Sequence, residues 1–415
     1  MAPHPRRFLA FAALLLSWGR PAALAAPASD YDGRTGLGWA EAMASSQMAR
    51  VGSSLDYRGS PKPDWNYTSG FFAHALEVLG TQSGNSTYSR FGSRLVDSFV
   101  GPDGEIHTYR PKDFNLDEIL PGRALLDQLR IAPHPALRRA ADRLRAQLAQ
   151  QPRTPGGGFW HKRVYPDQMW LDGLYMSGPF YAEYGSRFHD PAAVADARRQ
   201  LVLVDQHLYS PQTGLYFHAW DASRSLAWAN RATGHSPSFW GRSIGWYAMA
   251  IADEIDFEEP RSSAGPLTDL FQRVAAGIVR WQDPDTGVWW QVVDQGGRPG
   301  NYREESASCM FVYALATGVS EGRLPRHPYA DAAERGFQGI VRQFVRSGTS
   351  GELNLEGCCA VAGLNNRSAS GHPRDGTYSY YVSEKPAEND LKGVAAFILS
   401  GLAVQSLTAP SPSTP

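Results

Sequence analysis

Apolar residues recur along the chain in two helical patterns that alternate with each other. In the first pattern they form one stripe, as Leu137, Ala141, Leu144 and Leu148 do between residues 135 and 150. A helix with a single apolar stripe buries that face and leaves its polar face in water. The amphipathic segments lie at residues 37–50, 88–100, 135–150, 192–208, 267–281 and 330–345.

The second pattern is apolar nearly all round and rich in glycine, alanine and aromatic residues, which is typical of a helix buried on every side. Its segments lie at residues 70–79, 121–129, 168–184, 240–255, 306–319 and 391–407. Their alternation with the amphipathic segments predicts two concentric layers, with the buried set inside. We therefore predict an all-α fold, an (α/α)6 barrel or six-hairpin toroid, as one domain over residues 30–407. Short hairpin strands are expected at 213–220 and 288–293.

The third buried segment carries a carboxylate, Asp172, in surroundings that are otherwise apolar and aromatic. Pro166 and Asp167 just before it predict the start of the helix, because proline suits a first turn and aspartate accepts hydrogen bonds from free amides. An ionised carboxylate in such a helix is costly unless it is paired, hydrogen-bonded or partly solvated in a cleft. Asp172 is therefore a candidate catalytic acid; the alternative is an aspartate that only hydrogen-bonds to neighbouring backbone.

Polar and aromatic residues gather just before or at the N-termini of the buried segments. They include Tyr67, Asp117, Asp172, Arg242 and Glu304. In a ring of parallel inner helices these ends would meet at one rim and form a cleft. The positive ends of the helix dipoles would point there and favour an anionic ligand.

Asp117, in the segment before the second buried helix, is the second candidate acid. Two acids that face one cleft are the usual apparatus of glycoside cleavage, although Asp117 could instead cap the helix that follows it. Arg242 lies in a nearly all-apolar helix, so its guanidinium needs an acid partner, either a protein carboxylate such as Asp172 or a carboxylate of the substrate.

Several ring side chains occur in the segments that lead to the buried helices. His161, His218 and His235 lie in loops that contain aromatic residues and glycine, and we expect at least one of them to bind substrate. Trp240 and Trp246 are candidate platforms for a sugar ring, with core packing as the alternative.

Composition narrows the function further. The chain has 415 residues, a net charge of -1 and 12 tryptophans, 18 tyrosines and 18 phenylalanines. A net charge this close to zero gives no sign of the positive charge that proteins use to bind nucleic acid. The abundant aromatic residues suit either a large core or stacking on sugars. The sequence contains no serine nucleophile elbow, phosphate loop, dinucleotide fingerprint or clustered metal ligands. We expect neither a metal nor a cofactor.

The N-terminus predicts a signal peptide over residues 1–25. Arg6 and Arg7 precede an apolar run at residues 8–18, and residues 23–25 offer a cleavage site. The run is too short to span a bilayer, so we expect a secreted protein that does not associate with membranes, in the extracellular medium or a periplasm. We also expect it to be a monomer. Residues 408–415 predict a disordered tail rich in proline, serine and threonine.

Three sequons, at Asn66, Asn85 and Asn366, predict a glycoprotein. A glycan on Asn66 would crowd the predicted cleft, so Asn85 and Asn366 are the expected carriers. The three cysteines are Cys309 and the vicinal pair 358–359. One bridge from Cys309 to either member of the pair is an open alternative.

Several motifs between Trp65 and Lys392 together carry a family resemblance, because they occur in the same order as in that family. They are Asn-Leu-Asp-Glu-Ile-Leu-Pro-Gly-Arg (115–123), Gly-Gly-Phe-Trp-His-Lys (157–162), Gln-Met-Trp-Leu-Asp-Gly-Leu-Tyr-Met (168–176), Trp-Gly-Arg-Ser-Ile-Gly-Trp-Tyr-Ala-Met (240–249), Ser-Ala-Ser-Cys-Met-Phe (306–311), Val-Ala-Gly-Leu (361–364) and Arg-Asp-Gly-Thr-Tyr-Ser-Tyr-Tyr (374–381). The chain thereby resembles the unsaturated rhamnogalacturonyl hydrolases of glycoside hydrolase family 105.

The resemblance implies an (α/α)6 barrel and an unusual hydrolysis. The substrate would be a rhamnogalacturonan oligosaccharide left by a pectin lyase, with a 4,5-unsaturated galacturonate at its non-reducing end. Asp172 would protonate C4 and help water add at C5, and Asp117 would be the second essential acid. His218 and Arg242 would contact the unsaturated sugar. The remaining residues expected to line the pocket are His161, Trp240, Trp246 and Tyr67.

Two enzymatic alternatives stay open at this point. One is an unsaturated glucuronyl hydrolase acting on glycosaminoglycan oligosaccharides, and the other is an inverting hydrolase of saturated glycosides. A carbohydrate-binding protein with an inactive site is a third possibility, which the presence of both Asp117 and Asp172 argues against.

Overall fold

The computed structural model describes residues 29–52, 64–258, 265–365 and 371–408. The predicted signal peptide, the sequon at Asn366 and the tail beyond Thr408 lie outside the described residues. None of the helices within the described ranges is long and apolar enough to span a bilayer.

Thirteen helices account for most of the described chain. In chain order they are α1 (Gly36–Val51), α2 (Tyr67–Ser83), α3 (Ser86–Asp97), α4 (Gly122–Ile131), α5 (Pro135–Gln150), α6 (Leu171–Arg187), α7 (Pro191–Leu208), α8 (Gly241–Glu258), α9 (Pro266–Arg280), α10 (Glu305–Ser320), α11 (Arg326–Phe344), α12 (Tyr378–Ser383) and α13 (Leu391–Ser406). Every one of the twelve predicted helical segments overlaps one of these helices; the short α12 was not predicted.

The helices form two closed layers. In the inner layer α2 contacts α4, α4 contacts α6, and the ring continues through α8 and α10 to α13, which returns to α2. The outer layer consists of α1, α3, α5, α7, α9 and α11, each packed against the inner helix beside it in sequence, with α1 packed against α13. This arrangement confirms the predicted (α/α)6 barrel.

The difference between the two apolar patterns explains the layers. Every residue of α13 from Leu391 to Val404 is buried, whereas α5 buries one stripe and leaves Arg139 and Arg143 exposed. Close approach between layers depends on small residues: a β-carbon on Gly36 of α1 would collide with the backbone oxygen of Gly401 of α13. The two helices therefore touch backbone to backbone at this point.

The predicted start of the third inner helix is wrong. Residues Gln168–Trp170 form strand β1, which pairs in antiparallel fashion with β2 (Ala219–Asp221), and α6 begins only at Leu171. Asp167 has a left-handed φ of 58° and therefore cannot belong to a helical turn. Pairing with a distant strand overrides the local helix-start signal.

The predicted hairpin strands are reduced to isolated antiparallel bridges, Tyr209 with Tyr216 and Trp290 with Arg303, and both segments also pair elsewhere. The segment at 213–220 contributes to β2, whose partner is β1, and Val292 makes a single bridge to Trp240. Two further antiparallel pairs are β3 (Val345–Ser347) with β4 (Leu353–Leu355), and β5 (Cys358–Cys359) with β6 (Pro386–Ala387). All three cysteines are buried free thiols in this structure, so it contains no bridge from Cys309.

Candidate active site

A pocket lies where the N-terminal ends of the inner helices meet. Its lining includes Tyr67, the first residue of α2, and Asp117, in the short helical turn before α4. It also includes Asp172 and Arg242, each the second residue of its helix, α6 and α8. The two candidate acids thus share one pocket. The N-termini of α10 and α13 are instead capped by Glu304 and Asp390, which do not line it.

Backbone hydrogen bonds link the segments that carry the polar side chains. The amide of Leu116 donates to the carbonyl of His161 (3.1 Å), and the amide of His161 donates to the carbonyl of Gln168 (2.9 Å). On the other side of β1, the amide of Leu171 donates to the carbonyl of His218 (3.0 Å). The neighbours of Asp117 and Asp172 are therefore held on one continuous framework.

Gly173 allows these segments to approach each other. A β-carbon at this position would lie 2.8 Å from Nδ1 of His161 and 3.2 Å from a methyl carbon of Leu116. The absence of a side chain beside Asp172 lets the first turn of α6 pack directly on the segment that carries Asp117.

Asp117 is a carboxylate held in its ionised form. Its Oδ2 accepts a hydrogen bond from Nζ of Lys162 at 2.5 Å, and its Oδ1 lies 3.2 Å from Nε2 of His161. Burial by itself would raise the pKa of Asp117, but the Lys162 ammonium and the His161 ring outweigh it and hold the pKa well below its ordinary value of 3.8. Asp117 can offer negative charge but is a poor source of protons.

Asp172 has a different environment. Its side chain is 16% exposed, and its Oδ2 is buried 3.0 Å from Nε2 of His218. The two atoms are in contact but are not aligned as a hydrogen bond within the described residues. The hydroxyl of Tyr381 lies 2.6 Å from Nδ1 of the same histidine. With Oδ2 covered from behind, Oδ1 is the oxygen that can reach a ligand.

His218 was expected to contact the sugar, and the structure places it elsewhere. Its side chain is fully buried and does not line the pocket. It can act on a ligand only through Asp172. His235 is not brought to the pocket either, because its ring stacks on Phe217 with centroids 3.8 Å apart.

Arg242 lines the pocket, but its protein partner is not Asp172. The guanidinium is buried, lies 3.9 Å from Glu304, and donates to Oγ of Ser306 (3.4 Å) and to the carbonyl of Cys359. Glu304 was absent from the predicted site. Its carboxylate also accepts from the amides of α10 as the cap of that helix.

The predicted tryptophan platforms line the pocket but are nearly covered. Trp240 is 1% exposed, with the ring of Tyr381 stacked at 5.7 Å and the Arg242 guanidinium 4.7 Å from its centroid. Trp246 stacks on Tyr175 at 5.0 Å. Neither ring is free to stack broadly on a sugar, and both instead buttress the pocket wall.

Several pocket residues were not predicted as site residues. A stack of rings runs from Tyr165 through Trp170 to His161, with centroids 4.8 Å and 4.7 Å apart. Lys162 and Arg374 supply positive charge. The other lining residues outside the prediction are Met176 and the residues at 361–364. Lys162, Trp170 and Arg374 all lie within the motifs that carry the family resemblance, so a signal for them was present.

Comparisons with known proteins show which proteins the chain is similar to. The model of Glycosyl Hydrolase Family 88 matches residues 39–408. A solved glycoside hydrolase of family 105 from C. acetobutylicum is 34% identical, has a TM-score of 0.82, and the match covers 88% of this chain and 99% of that one. Protein Atu3128 of Agrobacterium fabrum is 36% identical over 228 residues, 54% of this chain and 96% of that protein. The unsaturated rhamnogalacturonyl hydrolase YesR of Bacillus subtilis is 32% identical over 196 residues, 45% of this chain and 52% of YesR.

Proposed function

The chain belongs to Glycosyl Hydrolase Family 88 and to the family 105 group of glycoside hydrolases, and we propose that it removes the terminal 4,5-unsaturated galacturonate from rhamnogalacturonan oligosaccharides made by pectin lyases. The reaction is a hydration of the double bond followed by release of the sugar. The similarity to YesR, whose name states this class of substrate, supports the proposal. No cofactor is needed for this chemistry.

The observation that carries the proposal is the contrast between two carboxyl groups in one pocket. Asp117 is tied to Lys162 and stays ionised, while Asp172 has one covered oxygen and one that can reach a ligand. A proton donor beside a fixed negative charge is what protonation of an enol ether requires, because positive charge develops on the ring as the proton arrives.

The steps follow from these positions. Asp172 in its protonated form delivers a proton to C4, and the ring becomes an oxocarbenium ion at C5 and the ring oxygen. Asp117 contributes negative charge that stabilises this ion. Asp172, now a carboxylate, takes a proton from a water molecule as the water oxygen bonds to C5. The resulting hemiketal opens at the bond between C5 and the ring oxygen, which gives a ketone at C5 and leaves a hemiacetal at C1. The hemiacetal collapses to an aldehyde as the glycosidic C1–O bond breaks. The shortened oligosaccharide leaves with a hydroxyl group, and the uronate is released as a keto sugar.

Lys162 is expected to set the acid limit of activity. Replacing Lys162 with methionine removes one of the two groups that lower the pKa of Asp117, so that pKa rises although His161 still lowers it. If activity needs ionised Asp117, the acid limb of the kcat/KM profile against pH moves to higher pH. A Lys162→Arg variant keeps the charge and should move the limb less. An unchanged acid limb in Lys162→Met would contradict this role for Asp117.

We also propose that the protein is a secreted monomeric glycoprotein that meets its oligosaccharide outside the cytoplasm. The support is the apolar run at residues 8–18 and the sequons. Both asparagines cap a helix through the amide oxygen, Asn66 that of α2 and Asn85 that of α3. Asn85 is exposed, whereas the amide nitrogen of Asn66, to which a glycan would be attached, donates to Asp64 at 2.7 Å, which makes Asn85 the better carrier.

The test supplies lyase-made rhamnogalacturonan oligosaccharides and follows the ultraviolet absorbance of the double bond. The expected result is loss of absorbance together with release of the keto sugar. Unsaturated glycosaminoglycan disaccharides and saturated oligosaccharides serve as comparison substrates. Faster turnover of the glycosaminoglycan disaccharides would indicate the glucuronyl activity, and equal cleavage of saturated substrate would indicate an ordinary glycosidase.

A further inference from the structure

Among the described residues, one lysine and two arginines line the pocket. Two of these three side chains are already paired with carboxylates or carbonyls of the protein. Nζ of Lys162 is 2.5 Å from Asp117, and Arg242 is shared among Glu304, Ser306 and the carbonyl of Cys359. A substrate that carries carboxylates needs a cation that protein carboxylates and carbonyls have not already saturated. The third residue, Arg374, is the one that meets this requirement.

Arg374 has a protein carboxylate on the Nε side of its guanidinium, in ionic contact without an aligned hydrogen bond. Its Nε lies 3.5 Å from Oε1 of Glu384, a side chain that is 9% exposed. Within the described residues its two Nη atoms donate no hydrogen bond, and the side chain is 16% exposed where it lines the pocket. With Glu384 on the Nε side, the two Nη groups remain as a fork that matches a carboxylate in bidentate geometry.

The guanidinium also points toward the reacting end of the pocket. Nη1 of Arg374 lies 3.8 Å from the position that a β-carbon on Gly363 would occupy, and that position is 3.5 Å from the ring of Trp170. Trp170 precedes Asp172 by two residues in the chain. Gly363 therefore leaves open the space between Arg374 and the wall that carries the proposed acid.

We propose that Arg374 is an anion-binding residue that holds a carboxylate of the substrate, with Glu384 as the residue that orients it. This inference rests on the proposed function and names the cation that recognises the uronate. The carboxylate belongs either to the terminal unsaturated sugar or to a second uronate further along the oligosaccharide. The chemistry at Arg374 is the same in both cases.

The test compares Arg374→Gln, Arg374→Lys and Glu384→Gln in the full chain. The substrates are an unsaturated rhamnogalacturonan disaccharide, which has one carboxylate, and the tetrasaccharide, which has two. Loss of a charge-assisted bidentate contact should raise KM about 10- to 100-fold in Arg374→Gln, with a smaller change in kcat. Arg374→Lys should fall between that variant and the parent, and Glu384→Gln should raise KM less than Arg374→Gln does, because the amide oxygen still faces Nε but the charge that orients the guanidinium is lost.

The substrate series locates the bound carboxylate. A rise in KM for both oligosaccharides indicates the terminal uronate, and a rise for the tetrasaccharide alone indicates the second uronate; both results support the inference. Unchanged KM values in Arg374→Gln would overturn it. The inference would also be overturned if Arg374→Gln and Glu384→Gln changed KM to the same extent and thermal stability to the same extent. An ion pair that only holds the loop predicts that the two variants behave alike.

A binding measurement separates this inference from the proposed function. Calorimetric affinity for the disaccharide and the tetrasaccharide is measured in Asp172→Asn and in the double variant Asp172→Asn/Arg374→Gln. Weaker binding of either oligosaccharide by the double variant supports the role of Arg374 even if the parent enzyme shows no turnover, which would refute only the proposed reaction. Equal affinities for both would overturn the role of Arg374.

Discussion

Replacing Asp172 with asparagine is expected to lower kcat on the unsaturated oligosaccharide by about 10³-fold, with little change in KM. The amide has nearly the shape of the carboxyl group, but it can neither deliver the proton to C4 nor accept one from the attacking water. The change leaves the contact with His218 sterically intact. Initial rates from the loss of ultraviolet absorbance give both constants.

Asp167→Asn is the matched control for that experiment. Asp167 lies five residues before Asp172 in the chain, does not line the pocket, and has a left-handed backbone that asparagine tolerates. We expect near-parental turnover from this control. An Asp172→Asn enzyme that retained full turnover would remove the proposed mechanism.

Replacing Asp117 with asparagine is expected to lower kcat by about 10²-fold, through a different cause. The variant loses the negative charge that stabilises the oxocarbenium ion and leaves the Lys162 ammonium without its partner in the pocket. Both effects disfavour positive charge on the substrate. The loss should persist across the pH range in which the parent enzyme is active, because the parent Asp117 is ionised throughout it.

Asp113→Asn provides the control for Asp117→Asn. Asp113 is four residues earlier and pairs with Arg163 at the surface, where its side chain is 44% exposed. Exposed pairs of this kind contribute little, so parental turnover is expected. If Asp117→Asn matched Asp113→Asn in kcat, the pocket would not depend on a second acid.

The double variant Lys162→Met/Asp117→Asn separates the two causes of the loss in kcat that is expected for Asp117→Asn. Removing both members of the pair leaves no unpaired ammonium in the pocket. Partial recovery of kcat relative to Asp117→Asn would show that the stranded charge of Lys162 causes part of the loss. No recovery would assign the loss to the missing carboxylate.

The spacing of apolar residues within each segment determined most of the fold. The stripe in α5 and the all-round apolar character of α13 are properties of residues a few positions apart, and each tells how many sides of a helix are buried. Their alternation is enough to predict two layers. The placement of Asp117, Asp172 and Arg242 at inner-helix starts followed from the same pattern, because parallel helices bring like ends together.

The pairing of charges could not be predicted in this way. Arg242 was expected to pair with a protein carboxylate such as Asp172 or with a carboxylate of the substrate. A protein carboxylate does lie beside it, but it belongs to Glu304, from the start of α10. His218 was expected to touch sugar, but the β1–β2 pairing places it behind Asp172. Partners such as these are far apart in sequence, so no local spacing encodes their distance.

By itself, then, the sequence determined a ring of helices and the residue types gathered at one of its ends. Tertiary structure alone decided which charged or titratable side chains lie beside each other there: Asp117 with Lys162, Asp172 with His218, and Arg374 with Glu384. The physical reason is that helix periodicity is a short-range property of the backbone. Electrostatic pairing and burial depend on distances through space, which exist only once the chain has closed.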